Sequence, residues 1–170
     1  MEKRKRSLWA HGYKVSDNTF VRMGKGISEM ELNYNPTENQ EKYIDEDVAT
    51  NSVDEYAPAF DNEQTCYKDE PIFECLNALR LKLATGSDAE GEIINIDVMD
   101  KQSDGSYTAQ KFACTTSINS YDGTKIKYKI SLNGSPTNGK ATIGADKKIT
   151  FTEASSTSSS STSTSSTSTR

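Results

Sequence analysis

Apolar and polar residues alternate along much of this chain, a period of two that is typical of β-strands with one buried face. The clearest example is residues 125–132, where four apolar side chains alternate with three lysines and a serine. Similar patterns, less regular, predict further strands. The apolar set is Ile126, Tyr128, Ile130 and Leu132, and the other strands are expected at 19–23, 27–34, 41–44, 53–67, 92–99, 107–118, 141–143 and 148–151.

Turn-forming residues separate these predicted strands and indicate which of them pair. Gly24-Lys25-Gly26 lies between the first two, so we expect those two to form a hairpin. Residues 144–146 have the same position between the last two strands. A run of turn residues at 133–139 predicts a loop after the strand at 125–132.

One segment has the period of an α-helix, and the helix is predicted over residues 70–84. Asp69 is placed to cap its first amides, Pro71 suits its first turn, and Gly86 is placed to end it. Its apolar stripe has to be covered, so we expect the helix to pack on the β-structure. That stripe consists of Ile72, Leu76, Leu79 and Leu83, with Phe73 beside it.

These elements predict a mainly β fold, a β-sandwich or barrel of two sheets with one flanking α-helix. Residues 1–7 form a basic N-terminal arm, and residues 8–153 suit a single domain. Residues 154–170 are a tail in which 15 of the last 16 positions are Ser or Thr. Because that tail has no apolar surface to bury, we expect it to be disordered.

The polar segment at residues 35–54 interrupts the strand pattern and is predicted to be a long loop. Ordered loops of this length usually have an external role. The segment lies within an acidic stretch, since residues 31–100 carry 18 acids against four bases. The flanking parts of the chain are basic, and the whole has a formal net charge of −5. This distribution is unsuited to gripping nucleic acid but suits self-association, or a surface past which a polyanion slides. The alternative is that the acids only solvate exposed loops.

Candidate chemistry is sparse, and we expect no catalytic, cofactor-binding or metal-binding residues. His11 is the single histidine and is interpreted as a surface residue. Cys66, Cys75 and Cys114 show no metal-ligand spacing, so reduced, buried thiols are expected. Residues 45–47 are acidic but lack the ligand spacing of a calcium loop. We also expect neither a secretory signal nor a membrane span.

The order of short signatures over roughly residues 8–153 resembles the tail tube (major tail) proteins of siphophages, the long-tailed bacteriophages with non-contractile tails. None of these signatures is catalytic, and the resemblance depends on the series rather than on any one of them. The series is Phe20-Val21-Arg22-Met23-Gly24-Lys25-Gly26, Tyr34-Asn35-Pro36, Lys42-Tyr43-Ile44, Tyr56-Ala57-Pro58-Ala59-Phe60, Asp69-Glu70-Pro71-Ile72 and Gly86-Ser87-Asp88-Ala89-Glu90.

The resemblance implies a structural virion subunit, assembled in the host bacterial cytoplasm, that forms hexameric rings stacked into a hollow tube for genome delivery. Its partners would be copies of itself, the tape measure, tail terminator and distal tail proteins, and DNA passing non-specifically through the lumen, with no membrane. The segment 35–54 is then the candidate contact between rings. The residues expected to carry that contact are Asn35, Pro36, Lys42, Tyr43, Asp45, Glu46 and Asp47.

Two other interpretations stay open at this point. One is an extracellular binding or adhesin-type β-sandwich module with the Ser/Thr segment as a linker. The other is the tube subunit of a contractile tail or of a secretion system, which would share the same fold. An enzyme is the class that the sequence supports least.

Overall fold

A computed structural model describes residues 5–42, 44 and 48–154 of the chain. The described residues form ten β-strands, one α-helix and two short 3₁₀ turns, so the predicted mainly β fold with two sheets and one helix is confirmed. The elements are β1 Trp9–Ser16, β2 Thr19–Arg22, β3 Leu32–Asn33, β4 Pro36–Glu41, β5 Thr50–Tyr56, β6 Ala59–Thr65, α1 Pro71–Lys82, β7 Glu90–Lys101, β8 Tyr107–Tyr121, β9 Lys125–Ile143 and β10 Lys148–Glu153.

Eight of the strands form one antiparallel sheet in the order β10-β2-β1-β7-β8-β9-β6-β3. The sheet closes on itself because β10 pairs with β9 as well as with β2. Strand β9 makes this possible through its length of 19 residues. Its first part pairs with β6, its last part pairs with β10, and β8 accompanies it throughout.

The closed part of the sheet encloses one hydrophobic cluster built from small and branched side chains. Alternation along β7 sends Ile94 and Ile96 inwards, and both are fully buried. They meet Ala10, Phe20 and Ile149 from the neighbouring strands.

A second cluster lies between the sheet and α1. Ile126, Tyr128 and Ile130 of β9 are fully buried, which confirms the alternation predicted at 125–132. From the helix, Ile72, Phe73 and Leu76 pack against the sheet, as expected of its apolar stripe. Leu79 is partly buried, whereas Leu83 lies beyond the helix end and is 81% exposed.

Both predicted caps of the helix were wrong. Glu70 caps the helix, because its Oε2 accepts a hydrogen bond from the Phe73 amide at 2.7 Å, while Asp69 has a left-handed backbone with φ of 61°. At the other end Leu83 adopts the left-handed conformation, and its amide bonds back to Arg80. Gly86, with φ of 56°, begins the following 3₁₀ turn instead.

The predicted hairpin across Gly24-Lys25-Gly26 was also wrong. Strand β2 pairs with β1 and β10, and the 27–34 segment contributes only the short β3 and a bridge from Ile27 to Gln64. Strand β1 was not predicted, because Ala10 and Gly12 on one of its faces carry little apolar surface. That face needs small residues: a Cβ on Gly12 would lie 2.5 Å from Cδ1 of Ile149.

The loop predicted at 133–139 is part of the continuous strand β9. Lys111 of β8 pairs with Thr137 and Ala113 pairs with Asn133, so the residues between them form a bulge rather than a loop. Gly134 supplies the positive φ, 65°, that this bulge requires.

Two further interpretations of single residues need correction. His11 is 2% exposed, not a surface residue, and its Nδ1 lies 2.8 Å from Oδ1 of Asn95. Tyr34, the last residue of the strand expected at 27–34, lies outside the strands and is 57% exposed. Residues 1–4 of the N-terminal arm and residues 155–170 of the Ser/Thr tail lie outside the described residues. No described helix is long and apolar enough to cross a bilayer.

Candidate assembly surfaces

The segment predicted as a long loop is a two-stranded antiparallel sheet that leaves the body of the molecule. We call residues 36–56 the acidic hairpin. Its strands β4 and β5 pair from Pro36 opposite Tyr56 to Glu41 opposite Thr50, and every residue in both strands is exposed. A strand of six residues extends about 20 Å. The loop prediction failed because these strands bury no face and so show no apolar alternation.

Hydrogen bonds join the two ends of the acidic hairpin at its base. Asn35 has a left-handed backbone with φ of 45°, and its Nδ2 donates to the Ala57 carbonyl at 3.0 Å. The Ala57 amide donates to the Tyr34 carbonyl at 3.1 Å. The rings of Tyr34 and Tyr56 meet edge to face with centroids 6.4 Å apart. Of the predicted contact residues, Asn35 and Pro36 therefore lie at this base.

Apolar side chains are exposed along the acidic hairpin. Ile44 and Val48 near its tip are 107% and 80% exposed, and Val53 on β5 is 49% exposed. Exposed apolar groups gathered on one projecting element are typical of a contact surface. The predicted residue Lys42 is also exposed, whereas Tyr43, Asp45, Glu46 and Asp47 lie outside the described residues.

The acidic hairpin also carries much of the negative charge of the chain. Residues 36–56 contain seven acids and one lysine, a net charge of −6. These seven are among the 18 acids of residues 31–100, so this segment holds more than a third of the acids in that stretch.

A second surface lies along the last residues of β8. Thr115 is the last residue of β8 that pairs with β7, where it faces Glu90, while β8 continues to Tyr121. Among the described residues no strand occupies the β7 side of β8 from Thr116 to Tyr121. An unpaired edge of this kind offers backbone amides and carbonyls to another strand.

A groove of about 480 Å³ separates this edge from the C-terminal end of α1, and we call it the α1–β8 groove. One feature of the sequence points to this groove, because Leu83 is a large apolar residue at the exposed end of a helix. The groove is lined by residues 116–121 on one side and by Leu79, Arg80, Leu83 and Ala84 on the other.

A second groove, of about 780 Å³, lies beside the base of the acidic hairpin, and we call it the Trp9 groove. Trp9, Phe112 and Leu132 supply apolar surface, and Asn95 and Asp97 supply polar groups. It is the larger of the two grooves and combines an aromatic ring with amide and carboxylate side chains.

The outward face of β6 and β9 is polar, and part of its charge is paired. Glu63 accepts hydrogen bonds from Lys125 and Lys127. These bonds, of which the one from Lys125 has the larger effect, lower the pKa of the Glu63 carboxyl below its ordinary value. One carboxylate shared by two lysines leaves this cluster with a net charge of +1, which attracts a phosphate backbone only weakly.

The cysteines are free thiols, as expected, and only Cys114 is fully buried. Burial raises the pKa of Cys114 to about 12 and also raises the pKa of Cys75, so neither has thiolate character near neutral pH. Within residues 5–42, 44 and 48–154, no three His, Cys, Asp or Glu side chains come together as metal ligands would.

Comparison of the sequence with protein-family models and with curated proteins finds no match. The function is therefore argued from these surfaces, of which the acidic hairpin is the most exposed.

Proposed function

We propose that this chain is the tail tube subunit of a long-tailed bacteriophage, which assembles with copies of itself into hexameric rings stacked as a tube. The acidic hairpin is the observation that carries the proposal. A two-stranded hairpin is marginally stable in water unless it packs against something else. Here both strands are exposed along their whole length, and Val53 and Tyr56 of β5 present apolar surface to solvent. Such an element gains its packing from another molecule.

The unpaired edge of β8 supports self-association in the same way. An open strand edge is an aggregation hazard for a monomer, and it is removed when a neighbouring copy covers it. A projecting element and an open edge on different parts of one chain favour head-to-tail contacts, which generate rings or filaments.

The charge of the chain fits the passage of a genome. With residues 31–100 at a net charge of −14, the surface offers little counterion release to DNA. A channel built from such subunits would let DNA slide without holding it.

The proposal is tested by removing the acidic hairpin. Replacing residues 38–54 with Asn-Gly should give a two-residue turn between Thr37 and Glu55, which face each other on β4 and β5. We expect the variant to fold with an unchanged melting temperature, because the deleted strands contribute no buried surface, and to stay monomeric. Analytical ultracentrifugation and negative-stain microscopy would measure assembly.

The matched control is a chain cut after Ala154, which lacks only the Ser/Thr tail and should assemble as the full chain does. Tubes from the hairpin replacement that match those of the full chain would overturn the role of the acidic hairpin. A full chain that remains monomeric at high concentration would overturn the tube function itself.

The Trp9 groove favours a second candidate, a carbohydrate-binding module. An aromatic ring beside Asn95 and Asp97 is a combination that can stack on and hydrogen-bond a sugar. Binding to a glycan array that is abolished by Trp9→Ala would favour this function over the tube.

A further inference from the structure

The last six residues of β8 are paired on one side only. On the β9 side, Thr116 pairs with Ile130 and Tyr121 pairs with Ile126. On the other side, the pairing with β7 ends where Glu90 faces Thr115, and the described part of the chain places no strand beside residues 116–121. The backbone of these residues therefore faces the α1–β8 groove. A strand edge recognises one kind of ligand by its main chain, namely an extended peptide.

The opposite wall of the groove is apolar and suits the side chains of an added strand. Leu79, Leu83 and Ala84 line it, and Ile118 contributes from β8 itself. A groove between a strand edge and a helix gives backbone pairing along one wall and side-chain pockets along the other. Its volume of about 480 Å³ is sufficient for a few residues of extended chain.

Leu83 is an unusual residue for its position. It ends α1 in the left-handed conformation, with φ of 49°, where glycine is preferred because a Cβ is strained. Its side chain is 81% exposed. Glycine at this position would make an isolated subunit more stable. The leucine is therefore explained by a second molecule that covers its side chain.

We propose that the α1–β8 groove receives the acidic hairpin of a second copy of this chain, which adds to the edge of β8 as a further strand. This inference rests on the proposed function, because it names the site that accepts the projection. The acidic hairpin has the required chemistry, since both of its strands are extended and exposed and Val53 offers an apolar side chain to the leucine wall.

The charges of the two surfaces are complementary. The acidic hairpin has a net charge of −6, and Arg80, in the last turn of α1, lines the groove. The guanidinium of Arg80 lies 4.2 Å from the ring centroid of Tyr121, which holds it at the rim. Opposite charges at the rim of a contact guide association and orientation.

The positions of the two surfaces make the contact head-to-tail. Tyr34 and Pro58 at the base of the acidic hairpin share the Trp9 groove with residues 108–112, near the start of β8. The α1–β8 groove lies along residues 116–121, at the end of the same strand. Head-to-tail contacts between different surfaces of identical copies generate rings or filaments.

The experiment compares two leucines that are both exposed at the end of α1. Leu83 lines the groove and Leu81, which is 68% exposed, does not. We expect Leu83→Glu to raise the critical concentration for assembly about tenfold or more, because a carboxylate replaces a buried apolar contact. Leu81→Glu should leave the critical concentration within about twofold of the full chain.

A glycine variant separates assembly from folding. Leu83→Gly relieves the left-handed strain and should raise the melting temperature of the monomer while still weakening assembly. A substitution that stabilises the subunit and yet impairs the polymer can be explained only by loss of a contact between copies.

Cross-linking then identifies the occupant. Copies carrying Cys66→Ser and Leu83→Cys are mixed with copies carrying Cys66→Ser and Val53→Cys and oxidised. We expect a disulfide-linked dimer on a non-reducing gel. Its yield should be at least about tenfold higher than in a mixture in which Leu81→Cys replaces Leu83→Cys.

The outcomes are distinguishable. If the full chain forms tubes, and Leu83→Glu forms them at the same concentration with no specific cross-link, this inference is wrong and the tube function stands. Impaired assembly with no cross-link to Val53 would mean that something other than the acidic hairpin covers the groove, which also overturns the inference. A full chain that never assembles overturns both.

Discussion

At the scale of single residues, the buried polar groups beneath α1 hold the helix in place. Oε2 of Glu70 accepts hydrogen bonds from the Phe73 amide at 2.7 Å and from Nε2 of Gln64 at 3.0 Å. Nε2 of Gln64 also donates to the Lys25 carbonyl at 3.1 Å. One carboxylate therefore connects the start of the helix, strand β6 and the loop after β2. A residue that connects three segments is expected to matter more than an ordinary cap.

We expect Glu70→Ala to lower the free energy of unfolding by about 1–3 kcal/mol, because a cap is lost and a buried Gln64 amide loses a partner. Urea denaturation would measure it. Asp69→Gly is the control, since Asp69 is a neighbouring acid with φ of 61°, where glycine is at least as favourable. A Glu70→Ala variant as stable as the parent chain would contradict the role of this carboxylate.

At the scale of elements, the pairing of β9 with β10 closes the sheet, and it depends on Gly139. A Cβ at this position would overlap the carbonyl oxygen of Thr152 and would lie 2.7 Å from Cζ of Phe151. Because the closest atom belongs to the backbone, the strands would have to separate to accept it. Gly139 thus sets how closely β10 approaches β9.

Gly139→Ala is expected to cost about 1–3 kcal/mol of stability through overpacking. Hydrogen exchange should show the loss first at the amides of β10. Gly24→Ala is the matched control, because a Cβ there meets no atom within 4 Å. Equal stability of the two variants would show that closure of the sheet does not depend on this close approach.

The elements also show what the sequence could and could not predict. Strand β7 and the first part of β9 were predictable, since their buried faces carry large apolar residues at every second position. Strand β1 was not, because Ala10 and Gly12 are small only to admit Ile149 from a distant part of the chain. Non-local packing of that kind leaves no periodic signal.

The candidate site was predictable in place but not in form. Asn35, Pro36 and Lys42 do lie on a projecting segment, but the segment is a paired hairpin whose strands bury nothing. The α1–β8 groove could not be predicted, because it exists only where β8 extends past the start of β7. Glu90 begins β7 opposite Thr115, and β8 continues to Tyr121. Register between strands decides that, and register is a tertiary property.

At the scale of the whole molecule, a chain of charges joins the strands of the closed part. Lys14 of β1 meets Glu92 of β7 at 2.9 Å, Lys111 of β8 meets the same carboxylate at 3.6 Å, and Lys111 meets Glu153 of β10 at 3.2 Å. The hydrogen bond from Lys14 is the main cause that lowers the pKa of Glu92 below its ordinary value of 4.5.

A carboxyl whose pKa is lowered by folding adds stability at pH values above its unfolded pKa, and this is lost as pH falls through the folded value. We therefore expect Glu92→Gln to be less stable than the parent chain at pH 7, by under about 1 kcal/mol because the pair is partly exposed. The difference should disappear at strongly acid pH. Urea midpoints at both pH values would measure it, with Glu90→Gln on the same strand as the control. A difference that persists in acid would contradict this cause.

The way the acidic hairpin joins the body determines how the subunit bears tension. Strand β5 runs through two residues, Ala57 and Pro58, into β6, and β6 is paired with β9 at all seven of its residues. A pull on the hairpin along this direction would load that ladder in shear, so its hydrogen bonds would resist together rather than break one after another. Strand β9 would pass the force on to β8 and β10 and spread it around the closed sheet.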